Sequence, residues 1–384
     1  MEVVAVICEY NPFHNGHLRQ IEIIRKKWGD CTILALMSGS FVQRGEPAIF
    51  PKYDRAALAV RCGADLVLEL PYPWSGASAP FFARGAVGVL QALGCVDVLC
   101  FGSERGALKE LLQTAENLDS AEFRQAMEEA GAGDRRGKTQ SGIRLAEQTY
   151  REVFGDGFPR LPNDILAVSY LRAAAQVGFA PEFYTYARKP GYSATLARDA
   201  LLRGDADACA GLLPEEYFTL SAPEQARAAY AERILLWKLR TGASAEMLAA
   251  AETEPGMERC FRRAAGKAAS LSEFEAAVGL KKYTRARVRR AVRNMVLGTT
   301  DEMLREMPQY TMLLAASGTG CTLLKRMKRT SRICVLTKPA DYVRYPAVVP
   351  QFEHALLAEE LYGMMLPVPR SGEAALQMTP FILR

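Results

Sequence analysis

The chain has 384 residues, 49% of them apolar and 24% charged, and a formal net charge of +5. That balance excludes a disordered chain, and no apolar run approaches the roughly 18 residues that a membrane span needs. Nine cysteines lie scattered without a C-x-x-C pair, which argues for reduced thiols over a disulfide framework or a zinc knuckle.

The chain opens directly on a strand-like VVAVI (3–7), without the layout of a signal peptide, and a cytoplasmic location is the expectation. Further short apolar runs follow at 32–37, 65–70 and 96–101, the pattern of strands buried on both faces of a parallel sheet. Helical stripes separate them, the first made of Leu18, Ile21, Ile24 and Trp28. This alternation predicts βαβ units, hence an α/β fold with a Rossmann-like, doubly wound parallel sheet. The loops after the strands are long and polar: CEYNPFHNGH (8–17), SGSFVQRGEP (38–47), PYPWSGASAP (71–80) and GSERG (102–106). Ligands of open parallel sheets bind outside the carboxyl ends of the strands, so these loops are where chemistry is expected.

A Gly/Arg/Lys-rich stretch at 131–142 reads as a surface loop, and EFYTYAR (182–188) as a fifth strand. SATLARDALLRGD (193–205) reads as a helix capped by Ser193. Helical patterns then dominate to about residue 298, and 310–336 suggests one small strand–helix–strand unit. The expected division is an α/β domain over residues 1–208, which carries the polar strand-end loops, and a mostly helical, basic domain over residues 209–384.

Two of the three histidines of the chain, His14 and His17, fall within NPFHNGH (11–17). Asn11 and Pro12 break the first strand and Asn15-Gly16-His17 opens a helix, so both imidazoles can face one ligand at a helix N-terminus. Such an end offers free N–H groups and partial positive charge, a natural seat for phosphate. Gly16 carries no side chain and admits close approach. A zinc site built on H-x-x-H lacks a nearby cysteine or third histidine to complete it.

FHNGH resembles the H-x-G-H signature of the nucleotidylyltransferase superfamily. The longer string EYNPFHNGH, with MSGSFVQRGEPA (37–48), DLVLELP (65–71) and FGSE (101–104), is similar to the bacterial tRNA(Met) cytidine acetate ligase family. The resemblance implies a nucleotidylyltransferase-type sheet that activates acetate with ATP and Mg²⁺. The acetyl group would then pass to the wobble cytidine of elongator methionine tRNA, giving N4-acetylcytidine. It places ATP on the stretch Ile7, Cys8, Glu9, Tyr10, Asn11, Pro12, Phe13, His14, Asn15, Gly16, His17, Leu18, Arg19 and Gln20. Further contacts are implied at Gly102, Asn163 and Arg188. On residue type alone these three read as a turn glycine, a helix N-cap and a solvated arginine.

SATLAR (193–198) resembles the second signature of the superfamily, with Ser193, Thr195 and Arg198 as its working residues; Ala197 stands where the family usually has isoleucine. His14, His17 and Arg198 are thus the expected catalytic set. Gln43, Arg44 and Glu46 suit either an acetate or base contact or a solvated loop.

KKYTRARVRRAVRNMVLG (281–298) carries seven Lys/Arg and no acid. At helical spacing Lys282, Arg285, Arg289 and Arg293 gather on one side, opposite Val288, Ala291, Val292 and Met295, and an outward basic arc for an RNA backbone is the expectation. Tyr283 would stack on an unpaired base or pack in the core. LLKRMKRTSR (323–332) adds five more basic residues. Two other functions fit parts of this pattern. An adenylyltransferase acting on a small phosphorylated cofactor precursor has no use for the basic region, and a non-catalytic RNA-binding protein has none for paired histidines.

Overall fold

The computed structural model describes residues 1–134, 142–189, 191–219, 223–279 and 283–384. One sheet organises them. Its strands are β1 (Val3–Cys8), β2 (Thr32–Ser38), β3 (Leu66–Leu70), β4 (Val98–Ser103), β5 (Glu182–Ala187), β6 (Tyr310–Ala316), β7 (Cys334–Leu336) and β8 (Phe381–Ile382). Their order is β5-β4-β1-β2-β3-β6-β7, with β8 also paired to β6. The first five strands run parallel, and the order reverses beside β1, which lies between β4 and β2. The crevice above the carboxyl ends of β1 and β4 is therefore the switch point of the fold.

Among the described residues eight helices accompany these five strands: α1 (Asn15–Trp28), α2 (Lys52–Arg61), α3 (Ala79–Leu93), α4 (Leu108–Asp119), α5 (Ala121–Asp134), α6 (Gly142–Phe154), α7 (Pro162–Val177) and α8 (Ala194–Arg203). Alternate strand residues feed two apolar layers. Val3, Ala5, Leu34, Leu36, Leu66 and Leu68 pack with α3 and α7, while Val4, Val6, Ile33, Ala35 and Val67 pack with α1 and α2. Burial on both faces explains why the strands read as unbroken apolar runs. Each valine, leucine or isoleucine among them contributes about 1.5–3 kcal/mol. The stretch expected as a loop at 131–142 is helical at both ends, in α5 and α6, and its residues 135–141 lie outside the described ones.

Beyond α8 come α9 (Ala206–Leu212), α10 (Glu215–Phe218), α11 (Glu232–Thr241), α12 (Ser244–Ala249), α13 (Met257–Lys267), α14 (Leu271–Val278), α15 (Arg285–Leu297) and α16 (Asp301–Arg305). Most of them share a separate core around Leu236, Phe261, Phe274 and Val288. The strand–helix–strand unit expected at 310–336 forms, with α17 (Gly318–Thr330) between β6 and β7, yet it does not stand with those helices. All seven residues of β6 are buried, and the strand pairs antiparallel to β3, so the chain returns to the first sheet. The last helix, α18 (Val349–Gly363), bridges both regions. Its Phe352 joins the sheet core, and its Leu361 and Tyr362 join the helical core.

Candidate nucleotide-binding site

A cavity of about 290 Å³ opens at the switch point. Its floor is the end of β1 and the start of α1. His14 is the N-cap of α1 with extended backbone (φ −142°, ψ 170°), and its Nδ1 accepts from the Gly16 N–H at 3.0 Å. His17 Nδ1 accepts from the His14 N–H at 3.2 Å, which closes a reciprocal capping box made of two histidines. The rings stack at 3.8 Å between centroids and 26° between planes. Tyr10 and Phe13 pack edge-on and tilted against His17.

That arrangement sets the chemistry of the pair. Each Nδ1 is an acceptor, so each neutral ring carries its proton on Nε2. Burial, with Arg188 and Arg198 adding to it, holds His14 down to about 4. Burial, then His14 and Arg188, holds His17 well below the usual imidazole range. The site thus offers two neutral Nε2–H donors. Gly16 permits this packing, since a Cβ there would lie 2.7 Å from His14 Cε1. The cap also corrects one expectation: the Gly16 amide is occupied by His14 and is not free for phosphate.

The opposite wall comes from β4, β5 and α7. Gly102 lies near the end of β4, and a Cβ on it would lie 3.0 Å from Arg188 Cγ and 3.1 Å from the Tyr186 ring. The Arg188 N–H donates to Ser103 O at 3.0 Å, which clamps this arginine beside the glycine. Asn163 is not an N-cap; Leu161 holds that position, and Asn163 sits in the first turn of α7. Glu104 caps this helix instead, accepting from the N–H of Asn163 and of Asp164 and from Asn163 Nδ2 at 2.6 Å. Phe82, Phe101, Tyr170, Tyr186 and Tyr192 add aromatic surface that local pattern did not announce; Phe101 adjoins Gly102, the one signal for it in the sequence.

The roof is α8. Ser193 caps it through the Leu196 N–H at 3.2 Å, as expected. Arg198 Nη1 donates to Asn11 O at 2.6 Å and Nη2 lies 3.8 Å from Glu46 Oε2. One residue therefore ties the roof to the loops after β1 and β2. A further tie has no signal in the sequence: fully buried Arg55 donates to the carbonyls of Glu9, Gly39 and Phe50. Glu9 accepts from the Gln43 N–H at 2.9 Å, and burial pushes its carboxyl up. Asn11 Oδ1 accepts from the Ile49 N–H at 2.7 Å, which orients its amide. Asn11 Nδ2 and Gln43 Nε2 are left buried without a partner in this cavity. An ordered water or a bound acceptor normally meets buried donors of this kind.

Of the expected nucleotide residues, Ile7, Cys8, Glu9, Tyr10, Asn11, His14, Gly16, His17, Gln20, Gly102, Asn163, Arg188, Ser193 and Thr195 line the cavity together with Arg198. Pro12, Phe13, Asn15, Leu18 and Arg19 do not line it. Phe13 is core, and Asn15 Nδ2 donates to Gly211 O at 3.3 Å. Gln43, Arg44 and Glu46 line the same cavity.

The basic arc on α15 does not form as expected. Arg293 is only 3% exposed and donates to Gly76 O and Asn294 Oδ1. Arg289 pairs with Glu46 and Glu275, and Arg285, largely exposed, lies 3.3 Å from Glu275. Acids from distant segments turn this helix face inward. Lys282 lies outside the described residues. Tyr283 is core, its hydroxyl bonded to Glu254. The exposed basic face is on α17 and just past it, where Lys325, Arg326, Lys328, Arg329 and Arg332 are exposed while Leu323 and Met327 are buried on the other side of the helix. Among the described residues no group of three or more His, Cys, Asp or Glu side chains could hold a metal ion. No helix of the described residues is long and apolar enough to cross a membrane.

The profile of the HIGH nucleotidyl transferase family matches residues 1–375. A protein of Anoxybacillus flavithermus named tRNA(Met) cytidine acetate ligase is 31% identical over 97% of each chain. A namesake from Syntrophotalea carbinolica is 34% identical over 88% of this chain and 85% of its own. The crystal structure of Thermotoga maritima TmcAL bound with alpha-thio ATP superposes with a TM-score of 0.92 at 28% identity, covering 100% of both chains. With the paired-histidine cap at the switch point and agreement over nearly the whole chain, the protein belongs to the HIGH nucleotidyl transferase family and, within it, to the family of the tRNA(Met) cytidine acetate ligases.

Proposed function

We propose that the protein is an ATP-dependent, AMP-forming ligase that makes acetyl-adenylate and passes its acetyl group to the wobble cytidine of elongator methionine tRNA. The product is N4-acetylcytidine. The stacked pair of neutral imidazoles, each presenting Nε2–H at the switch point of the sheet, carries this reading. Family membership and the nucleotide analogue in the Thermotoga maritima structure support it.

Acetate is an anion at neutral pH, so its attack on the α-phosphorus of ATP, which breaks the α–β bond and expels pyrophosphate, needs no general base. The task is to bring two anions together and to stabilise the charge that builds on phosphoryl oxygen. His17 and His14 serve as the Nε2–H donors, and Arg198 and Arg188 supply positive charge from the roof and the far wall. The partnerless amides Asn11 Nδ2 and Gln43 Nε2 suit the oxygens of acetate. A Mg²⁺ at this site would draw its ligands mostly from phosphate oxygens and water, which matches a donor set short of clustered carboxylates. Activation is needed because the cytosine amine, delocalised into the ring, is a weak nucleophile.

In the second half-reaction the amine nitrogen bonds to the acetyl carbon, the bond to AMP breaks, and the amine releases one proton. The helical region and the basic face of α17 are the surfaces proposed for the body of the tRNA. Purified protein given ATP, Mg²⁺, labelled acetate and tRNA is expected to place label in RNA as N4-acetylcytidine. Uridine at the wobble position, which lacks the amine, should abolish incorporation. Label confined to a small soluble nucleotide would instead favour a cofactor adenylyltransferase.

A further inference from the structure

A negative side chain in a cavity suited to two anions needs a reason, and Glu9 is one. It directly follows β1 and lines the nucleotide cavity beside His14, His17, Arg188 and Arg198. Its Oε1 accepts from the Gln43 N–H at 2.9 Å. Its Oε2 has no hydrogen-bond partner among the described residues and is not sealed from the cavity. The arginines around it are engaged elsewhere. Arg55 gives its three nitrogens to carbonyls, Arg198 is held by Asn11 O and Glu46, and Arg44 is exposed. The carboxylate oxygen left open is thus placed to accept from whatever enters.

Its position narrows what that donor is. Glu9 stands two residues before Asn11 and is bonded to the backbone of Gln43, and these two residues carry the partnerless amides Asn11 Nδ2 and Gln43 Nε2. Two donors and one acceptor are gathered where the loops after β1 and β2 meet. The donors suit the oxygens of an acetyl group. The acceptor suits an N–H brought up to that group.

We infer that Glu9 is the proton acceptor of acetyl transfer, and that it takes its proton from the cytosine amine. The inference rests on the ligase reading. As the amine nitrogen bonds to the acetyl carbon, one N–H proton passes to Glu9 Oε2. The bond from the acetyl carbon to the AMP oxygen then breaks, its electron pair leaving with AMP, and Glu9 later returns its proton to water. The amine of an aromatic base becomes acidic only as the new bond forms, which is when a general base acts. A carboxyl pushed up by burial is a stronger base than an exposed one. Acetate arrives ionised, so activation needs no such group, and the two half-reactions depend on Glu9 unequally.

The test loads the whole chain with ATP, Mg²⁺ and labelled acetate, adds tRNA and quenches at intervals. Glu9→Gln keeps an acceptor for the Gln43 N–H and loses the base. It should slow transfer of bound acetyl to tRNA by about 10²-fold or more. The ratio of transfer to acetate-dependent ATP–pyrophosphate exchange should fall by about tenfold or more. Wild-type transfer should rise with pH along an acid limb that Glu9→Gln lacks. The groups facing Glu9 do not supply that limb: Arg44, Arg55 and Arg198 stay charged, and burial pushes Cys8 and Tyr170 up. Burial also holds His14 and His17 neutral, and Glu46 is paired with Arg289 and Arg198. Equal losses in both half-reactions would assign Glu9 to ATP or acetate and overturn the inference, as would transfer at the wild-type rate. Should Glu9→Gln fail to fold, the wild-type profile decides, and transfer that is flat from about pH 5 to about pH 8 overturns the inference. A wild-type protein that forms no acetyl-adenylate overturns the ligase reading itself.

Discussion

His17 has two tasks that substitution can separate. Its Nδ1 caps the backbone of His14, and its Nε2–H is free to meet a developing oxyanion. Losing the cap costs about 1 kcal/mol of stability. Losing a donor aimed at transition-state charge costs about 10²-fold or more in rate. His17→Ala should therefore lower acetate-dependent ATP–pyrophosphate exchange by about that factor while ATP affinity changes far less. Near-wild-type exchange would remove the histidine pair from the chemistry. His14 makes a prediction in pH. Its folded value of about 4 lies below the ordinary 6.5, so an unfolded chain binds a proton first as pH falls. The stability due to the neutral ring is complete above about pH 6.5 and drains away toward pH 4, about 3 kcal/mol in all. Denaturant midpoints measured across that range should fall less steeply in His14→Asn, which keeps a capping oxygen and cannot titrate. The paired histidines were legible because their spacing lies within one strand-to-helix junction. Arg55 was not, because its three carbonyl partners come from three separate loops. His354 reads in sequence as a remote histidine, yet its Nε2 bonds Thr299 Oγ1 at 3.0 Å, so its replacement is no silent control for such experiments.

Three elements meet at Lys52. The side chain leaves α2, lies 2.9 Å from Glu69 of β3 and 3.0 Å from Glu359 of α18, and is nearly fully buried. Ser40 Oγ donates to the same Glu359 carboxylate. This cluster fixes the bridging helix to the sheet just below the loop that carries Gln43 and Glu46. Lys52→Met would leave two buried carboxylates facing each other without a cation. The expected loss is about 3–5 kcal/mol, read as a lower denaturant midpoint. Should the midpoint stay in place, α18 is held by its apolar face alone. The strands and the first helices of the sheet were readable from local pattern, since burial on both faces writes itself into consecutive residues. The face presented by α15 was not. Its arginines alternate with apolar residues as an outward arc would, but Glu46, Glu275 and Glu252 arrive from elsewhere in the chain to pair with them. Local amphipathicity reports which side of a helix is polar, and long-range acids decide whether that side meets water.

Across the whole molecule, the return of β6, α17 and β7 to the first sheet puts an exposed basic helix on the nucleotide-binding half of the protein, apart from the helical region where the sequence concentrates its charge. RNA affinity that depends on neutralising phosphates falls with salt, and each phosphate neutralised steepens the log–log slope by about one. Lys325, Arg326, Lys328 and Arg329 are exposed on α17, whereas Arg289 is tied up by two acids and Arg293 is buried. The two faces thus make opposite predictions. Changing the four α17 residues to Gln should weaken tRNA binding and reduce its salt slope by as much as about four. Arg289→Gln should leave the slope alone, since that guanidinium is already neutralised by protein. Filter binding of tRNA at several salt concentrations separates the cases. A slope that stays put in the α17 variant and falls in Arg289→Gln would return the RNA track to α15, and would mean that Glu46 and Glu275 release their arginine when RNA arrives.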